Sequence, residues 1–126
     1  MPAMYELVFV GTCNPPRGAG RAFGGPIEPQ FDPGTTFPLE LGRRVTMGRA
    51  KEADILVDSL IVARHHIAIT LVDHKGTPAV RVENLGGALG AFTLGTYIAD
   101  EKLVPIDTPF ELGGVLRFVV RPAATP

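Results

Sequence analysis

Few residues in this chain have the type and spacing for bond-making chemistry. Ser59 is the only serine, and it sits in Asp58-Ser59-Leu60 without the glycines of a strand-to-helix nucleophile elbow. Cys13 is the only cysteine, so an intramolecular disulfide framework and a cysteine-only zinc site are excluded, and no histidine stands near it in sequence to activate a thiolate. His65, His66 and His74 are metal-ligand types, yet neighbours on a strand point to opposite faces, so His65 and His66 do not converge on one ion. Gly18, Gly20 and Gly24 miss the dinucleotide-binding spacing by one residue and no helix pattern follows them. No set of residues is left to carry an enzyme, and no catalytic residue, cofactor or metal is expected. What remains suited to recognition is cationic. Arg43, Arg44, Arg49 and Lys51 fall close together with Glu52 opposing them. Such a rim attracts an acidic or phosphorylated ligand with salt-sensitive affinity. By residue type alone it reads equally well as a solvated charge cluster on loops.

The elements that must position these residues read as short strands. Tyr5, Leu7 and Phe9 alternate with Glu6, Val8 and Val10; Ile67, Ile69 and Leu71 alternate with Ala68, Thr70 and Val72. His74-Lys75-Gly76-Thr77 has the composition of a hairpin turn. It leads into Val80 and Val82 alternating with Arg81 and Glu83. Leu116, Phe118 and Val120 alternate with Arg117, Val119 and Arg121 near the end. Strands at this spacing indicate a β-sandwich or barrel. Residues 50–75 contain neither Gly nor Pro, and Ala53, Leu56, Val57, Leu60 and Ile61 also fit a helix face. Periodicity leaves helix and strand–loop–strand open there. Of the 15 Gly and 12 Pro, twelve fall within residues 11–38, marking a long irregular loop over 11–34. Twelve Lys+Arg against thirteen Asp+Glu leave a net charge of −1, against binding driven by phosphate neutralisation of a nucleic acid. No apolar run approaches the roughly 20 residues of a membrane helix, and no signal peptide is visible. The expectation is one domain over 1–122 with a tail or linker at 123–126, cytoplasmic, bound to neither nucleic acid nor membrane.

One stretch is more specific. Val45-Thr46-Met47-Gly48-Arg49 is followed after four residues by Asp54-Ile55-Leu56-Val57-Asp58, then Val62-Ala63-Arg64-His65-His66, then Asn84-Leu85-Gly86-Gly87-Ala88-Leu89-Gly90-Ala91-Phe92-Thr93-Leu94-Gly95. This resembles the forkhead-associated (FHA) domain, whose pattern is Gly-Arg, Asp-Ile-x-Leu, Val-Ser-Arg-x-His and Asp-Leu before Asn-Gly-Thr-x-x-Asn-Gly. The resemblance covers residues 5–10 and about 35–121. It implies an all-β FHA-like (SMAD/FHA) β-sandwich of about eleven strands whose loops at one end recognise phosphothreonine peptides. The first inter-strand loop is enlarged. It also decides residues 50–75 for strand–loop–strand.

By the same resemblance, Arg49 corresponds to the phosphate-contacting arginine, Arg64 also matches, and Gly48, His66 and Gly95 brace the loops. The phosphate-bonding serine is Ala63 here. The asparagine holding the peptide backbone is Leu89, before Gly90, and the following threonine is Ala91. The second Asn-Gly is Leu94-Gly95. Glycines that set the backbone survive, while side chains that hydrogen-bond a ligand have become apolar. The expected function is therefore a non-catalytic protein–protein interaction module that does not need phosphothreonine. The alternative is a phosphothreonine reader of weakened affinity in Ser/Thr kinase signalling, relying on Arg49 and a basic rim of Arg43, Arg44 and Lys51. The partner in either case is another protein. Within the loop, Phe23, Ile27 and Phe31 are expected either to pack on the sandwich or to face that partner.

Overall fold

A computed structural model describes residues 5–13, 29–59, 61–87 and 89–123. Among them the chain forms eleven strands and no helix. They are β1 (Tyr5–Thr12), β2 (Thr36–Leu39), β3 (Arg44–Gly48), β4 (Ile55–Leu56), β5 (Ile67–His74), β6 (Thr77–Asn84), β7 (Ala91–Thr93), β8 (Thr96–Tyr97), β9 (Glu101–Pro105), β10 (Phe110–Leu112) and β11 (Leu116–Pro122). Two sheets face each other. One has the order β2-β1-β11-β10-β7-β8, the other β4-β3-β5-β6-β9. Residues 50–75 are strand–loop–strand, as the resemblance implied.

The two-residue side-chain period builds the core directly. Leu7, Phe9, Phe110, Leu112, Leu116, Phe118 and Val120 point inward from the first sheet. Val45, Met47, Ile67, Ile69, Leu71, Val80 and Val82 meet them from the second, and all are buried. Several of the intervening residues pair across strands on the opposite faces. On the second sheet Arg44 bridges Glu83 at 3.3 Å and Arg81 bridges Glu101 at 3.2 Å. The hairpin expected at His74–Thr77 forms between β5 and β6, with Lys75 at φ 53° and Gly76 at φ 81°. Positive φ at both positions gives the turn a twist that matches its strands.

One boundary differs from the sequence reading. The irregular segment does not begin at residue 11, because β1 continues through Gly11 and Thr12, with a bulge between Phe9 and Gly11. Gly11 takes φ +133°. A glycine in a strand marks such a bulge as readily as it marks a loop. The segment's end is also tied down. Phe31 lies with its ring centroid 5.2 Å from Phe9, 5.3 Å from Phe37 and 6.5 Å from Phe118, so it packs against the core beside β1, β2 and β11. Next to it, the Gln30 side chain donates to the Leu56 carbonyl at 2.8 Å and accepts from the Asp58 N–H at 2.9 Å. Phe23 and Ile27 lie outside the described residues.

Candidate functional site

The residues singled out around Gly48, Ala63, His66 and Gly90 meet at one end of the sandwich, where β3, the β4–β5 loop and the β6–β7 loop converge. Gly48 ends β3 where the chain crosses the β4–β5 loop. A Cβ there would lie 2.1 Å from the Arg64 carbonyl oxygen, so only glycine fits. That close approach lets the Arg49 N–H donate to the Ala63 carbonyl at 2.9 Å and the Ala50 N–H to the Arg64 carbonyl at 3.1 Å. Arg49 and Arg64 are thereby held side by side, both exposed. Arg64 shares Glu52 at 3.8 Å with His65 at 4.0 Å, whereas among the described residues Arg49 makes no ion pair.

His66 is fully buried and joins the loops. Its Nδ1 accepts from the Ala63 N–H at 3.0 Å, which puts the ring proton on Nε2, 2.7 Å from the Gly90 carbonyl. Its own N–H donates to Met47 of β3, and its carbonyl accepts from Leu85. The Gly90 carbonyl accepts a second bond from Gly113 N–H at 2.7 Å, in the β10–β11 turn. The imidazole thus links both recognition-type loops, the His66 backbone ties them to β3, and the shared Gly90 carbonyl extends the link to a fourth turn. Burial holds its pKa below the ordinary 6.5, and the bond to Gly90 offsets part of that, so the ring is neutral.

Asp54 braces the loop after β3. Its carboxylate accepts from the Thr46 N–H at 2.9 Å and from the Thr46 hydroxyl at 3.2 Å, while its own N–H donates back to that hydroxyl at 3.0 Å. The Thr46 backbone bond holds its pKa below 3.8. Burial opposes this, and the Thr46 hydroxyl, Arg43 and Arg44 add to the lowering.

The structure separates other residues grouped by sequence. Arg43 and Arg44 open β3, whereas Arg49 follows its end. A five-residue strand spans about 16 Å, so these arginines are far from Arg49. Arg44 is also committed to Glu83. The basic rim reduces to Arg49, Lys51 and Arg64, with Glu52 between them. Ala91 is fully buried on the core face of β7 and cannot line a binding surface, and Gly90 acts through its carbonyl. Leu89 is 39% exposed and Leu94 74% exposed. Gly95, with φ +79°, completes the turn that Leu94 begins.

Three contributors were not singled out in the sequence. Gly87 lies flat on the His66 ring, where a Cβ would come within 2.6 Å of Nε2. Asn84 donates to the Ile98 carbonyl at 2.9 Å and to the Tyr97 hydroxyl at 3.3 Å, and accepts from Gly86 N–H, fastening the β6–β7 loop to β8. Tyr97 shields Gly90 and packs edge-on against Phe92 at 5.6 Å. The Asn-Leu-Gly-Gly run was the available signal for the first two.

Comparison with curated protein sequences finds no match. Among solved structures, the FHA domain of the CT664 protein from Chlamydia trachomatis superposes with a TM-score of 0.71 at 20% identity, over 97% of this chain and 100% of that one. The MEK1 FHA domain, solved with a HOP1 phosphothreonine peptide, gives 0.65 at 16% identity, over 97% and 99%. The FhaA FHA domain, solved with the intracellular domain of Rv3910, gives 0.61 at 16% identity, over 93% and 99%. These likenesses establish the fold. The FHA domain family model matches residues 45–118, well over half of the chain and the stretch that builds the loop end just described. With both fold and family pattern in agreement, the chain belongs to the FHA domains, non-catalytic interaction modules known for binding phosphopeptides.

Proposed function

We propose that this FHA domain binds a protein partner at its loop end without requiring phosphothreonine. The observation that carries the reading is the side-chain set beside Arg49. Ala63 has no hydroxyl to bond a phosphate, and Leu89, where the family has its peptide-holding asparagine, presents a half-exposed apolar side chain. A micromolar site is worth about 8 kcal/mol. One bond to a charged group and one neutral bond together contribute about 3–4 kcal/mol, so losing both moves a micromolar site close to millimolar.

A second reading has one observation in its favour: the exposed Arg49 guanidinium, without an ion pair among the described residues, is open to an anion. Calorimetry with matched Thr and phosphothreonine peptide libraries separates the two. The first reading expects phosphopeptides to bind no tighter than about 0.1–1 mM, and the double change Ala63→Ser with Leu89→Asn to restore tighter binding. Micromolar phosphopeptide binding by the unaltered chain would establish the second reading instead. Ala91→Thr is left out because that position is in the core.

A further inference from the structure

We infer that the partner's contact continues from Leu89 onto the outer face of the six-stranded sheet, where a cleft takes an extended segment carrying a large apolar side chain beside a carboxylate. This rests on the reading that the domain takes an unphosphorylated partner at this end.

The cleft, of about 470 Å³, lies between the β6–β7 loop, the Leu94-Gly95 turn and the Gly113-Gly114 turn. Its floor follows from strand register. Glu111 of β10 lies opposite both Phe92 of β7 and Arg117 of β11, and all three sit between core-facing neighbours, so they share the outer face. Arg117 Nε donates to Glu111 Oε2 at 3.3 Å. The pair is asymmetric. The arginine side chain is 39% exposed and the glutamate 10%, and both line the cleft. A guanidinium keeps further N–H donors after one such bond, in the geometry that suits a second carboxylate.

The walls are apolar. Leu89 and Leu94, both exposed, line the cleft together with Phe92 of the floor. Single exposed leucines are ordinary on a protein surface, but these two flank the same concavity. Leu94 is also poorly suited to its backbone. It takes φ +49° in a two-residue turn where Asn, Asp or Gly are favoured, and it is the most exposed large apolar residue among those described. Folding explains neither its identity nor its position. Apolar lining beside a guanidinium that keeps spare donors selects an apolar side chain next to an acidic one; a basic or uniformly polar segment leaves the leucines or those donors unused.

The test is selection from an array of unphosphorylated peptides, followed by amide chemical-shift mapping on the full chain. Selected peptides should carry Leu, Ile, Phe or Met within two residues of Asp or Glu, and should shift the amides of Leu89, Phe92, Gly114 and Arg117. Glu111→Gln frees Arg117 for the ligand and should tighten these peptides several-fold. The double change Glu111→Gln with Arg117→Gln, which leaves no carboxylate unpaired, should weaken them about tenfold and abolish the acidic preference. Peptides that shift only the Arg49, Ala63 and Arg64 amides would overturn the cleft while leaving the phospho-independent reading intact. A requirement for phosphothreonine would overturn that reading, with the cleft amides still judging the present inference. Absence of an acidic preference, failure of Glu111→Gln to tighten binding, or concentration-dependent self-association through the same amides would each overturn it.

Discussion

His66 Nε2 lies 2.7 Å from the carbonyl oxygen of Gly90, 24 residues further along the chain. Because Nδ1 already accepts from Ala63, the ring has a single tautomer that satisfies both neighbours, and only while it is neutral. The spacing of the β4–β5 and β6–β7 loops therefore depends on one buried proton. Ala63, at one end of this link, and Leu89, next to the other, are two of the residues altered from the family pattern. The scaffold of the loop end is present and Arg49 is retained, whereas positions 63 and 89 carry alanine and leucine.

That arrangement makes stability pH-dependent in a stated direction. A neutral buried histidine has a folded pKa below its unfolded value, so as pH falls through about 6.5 the unfolded chain takes up the proton first. Stability should fall as pH drops from neutral through about 6.5, and should go on falling until the folded form also takes up the proton. Asp54 has the opposite charge but acts in a lower window: its depressed pKa contributes stability above 3.8 that is lost as pH falls further. Urea midpoints measured across pH should show both declines. His66→Gln should be less stable at neutral pH and should flatten the upper one. An upper decline unchanged in that variant would assign it to another group.

Gly87→Ala should destabilise the domain by about 2–3 kcal/mol, because the new methyl would meet the His66 ring at 2.6 Å and the ring has no free space to move into. Gly48→Ala should be at least as damaging, since the obstacle there is main chain. Denaturant unfolding gives the values. Gly76→Ala, where nothing lies within 4 Å, should show the smaller effect of a strained φ alone.

Phe31→Ala should lower stability by about 2–3 kcal/mol, since its ring meets Phe9, Phe37 and Phe118 while remaining partly exposed. Gln30→Ala should cost about 1 kcal/mol through its two main-chain bonds. Thermal denaturation of both variants is the measurement. Unchanged melting temperatures would mean that the end of the first inter-strand connection does not hold the sheets together.

Leu94→Asn should raise stability by about 0.5–1 kcal/mol, because asparagine suits positive φ and the turn no longer exposes an apolar side chain. The same change should weaken capture of peptides selected by the unaltered domain. A gain in stability with no loss of binding would make Leu94 an accident of the turn.

Most of the strand set was legible because alternation and burial coincide in β1, β5, β6 and β11. Residues 50–75 were not legible from periodicity. Ala53, Leu56, Val57, Leu60 and Ile61 fit a helix, and only the Gly-Arg and Arg-x-His spacing around them decided otherwise. The convergence of Gly48, Arg49, Ala63, Arg64 and His66 followed from that spacing. Placing Arg43 and Arg44 with Arg49 failed because closeness in sequence is not closeness in space once the intervening residues are extended. Ala91 was misread for a related reason: a loop motif that runs into a strand turns alternate residues into the core. The Gln30 contact left no sequence signal, since any residue with a side-chain amide in a loop looks alike until the main chain it meets is known.

Gln30 has one more consequence. The two groups it bonds, Leu56 C=O and Asp58 N–H, lie on the open side of β4, the outermost strand of the five-stranded sheet. The side-chain amide imitates a neighbouring strand there. The remaining borders are also unattractive to an added chain: β9 carries Glu101, Lys102 and Pro105, β2 carries Pro38, and β8 is two residues long. Edge-to-edge polymerisation, the usual hazard of an open β-sandwich, is thus disfavoured at each of these borders, and Gln30→Ala would open the β4 side to it.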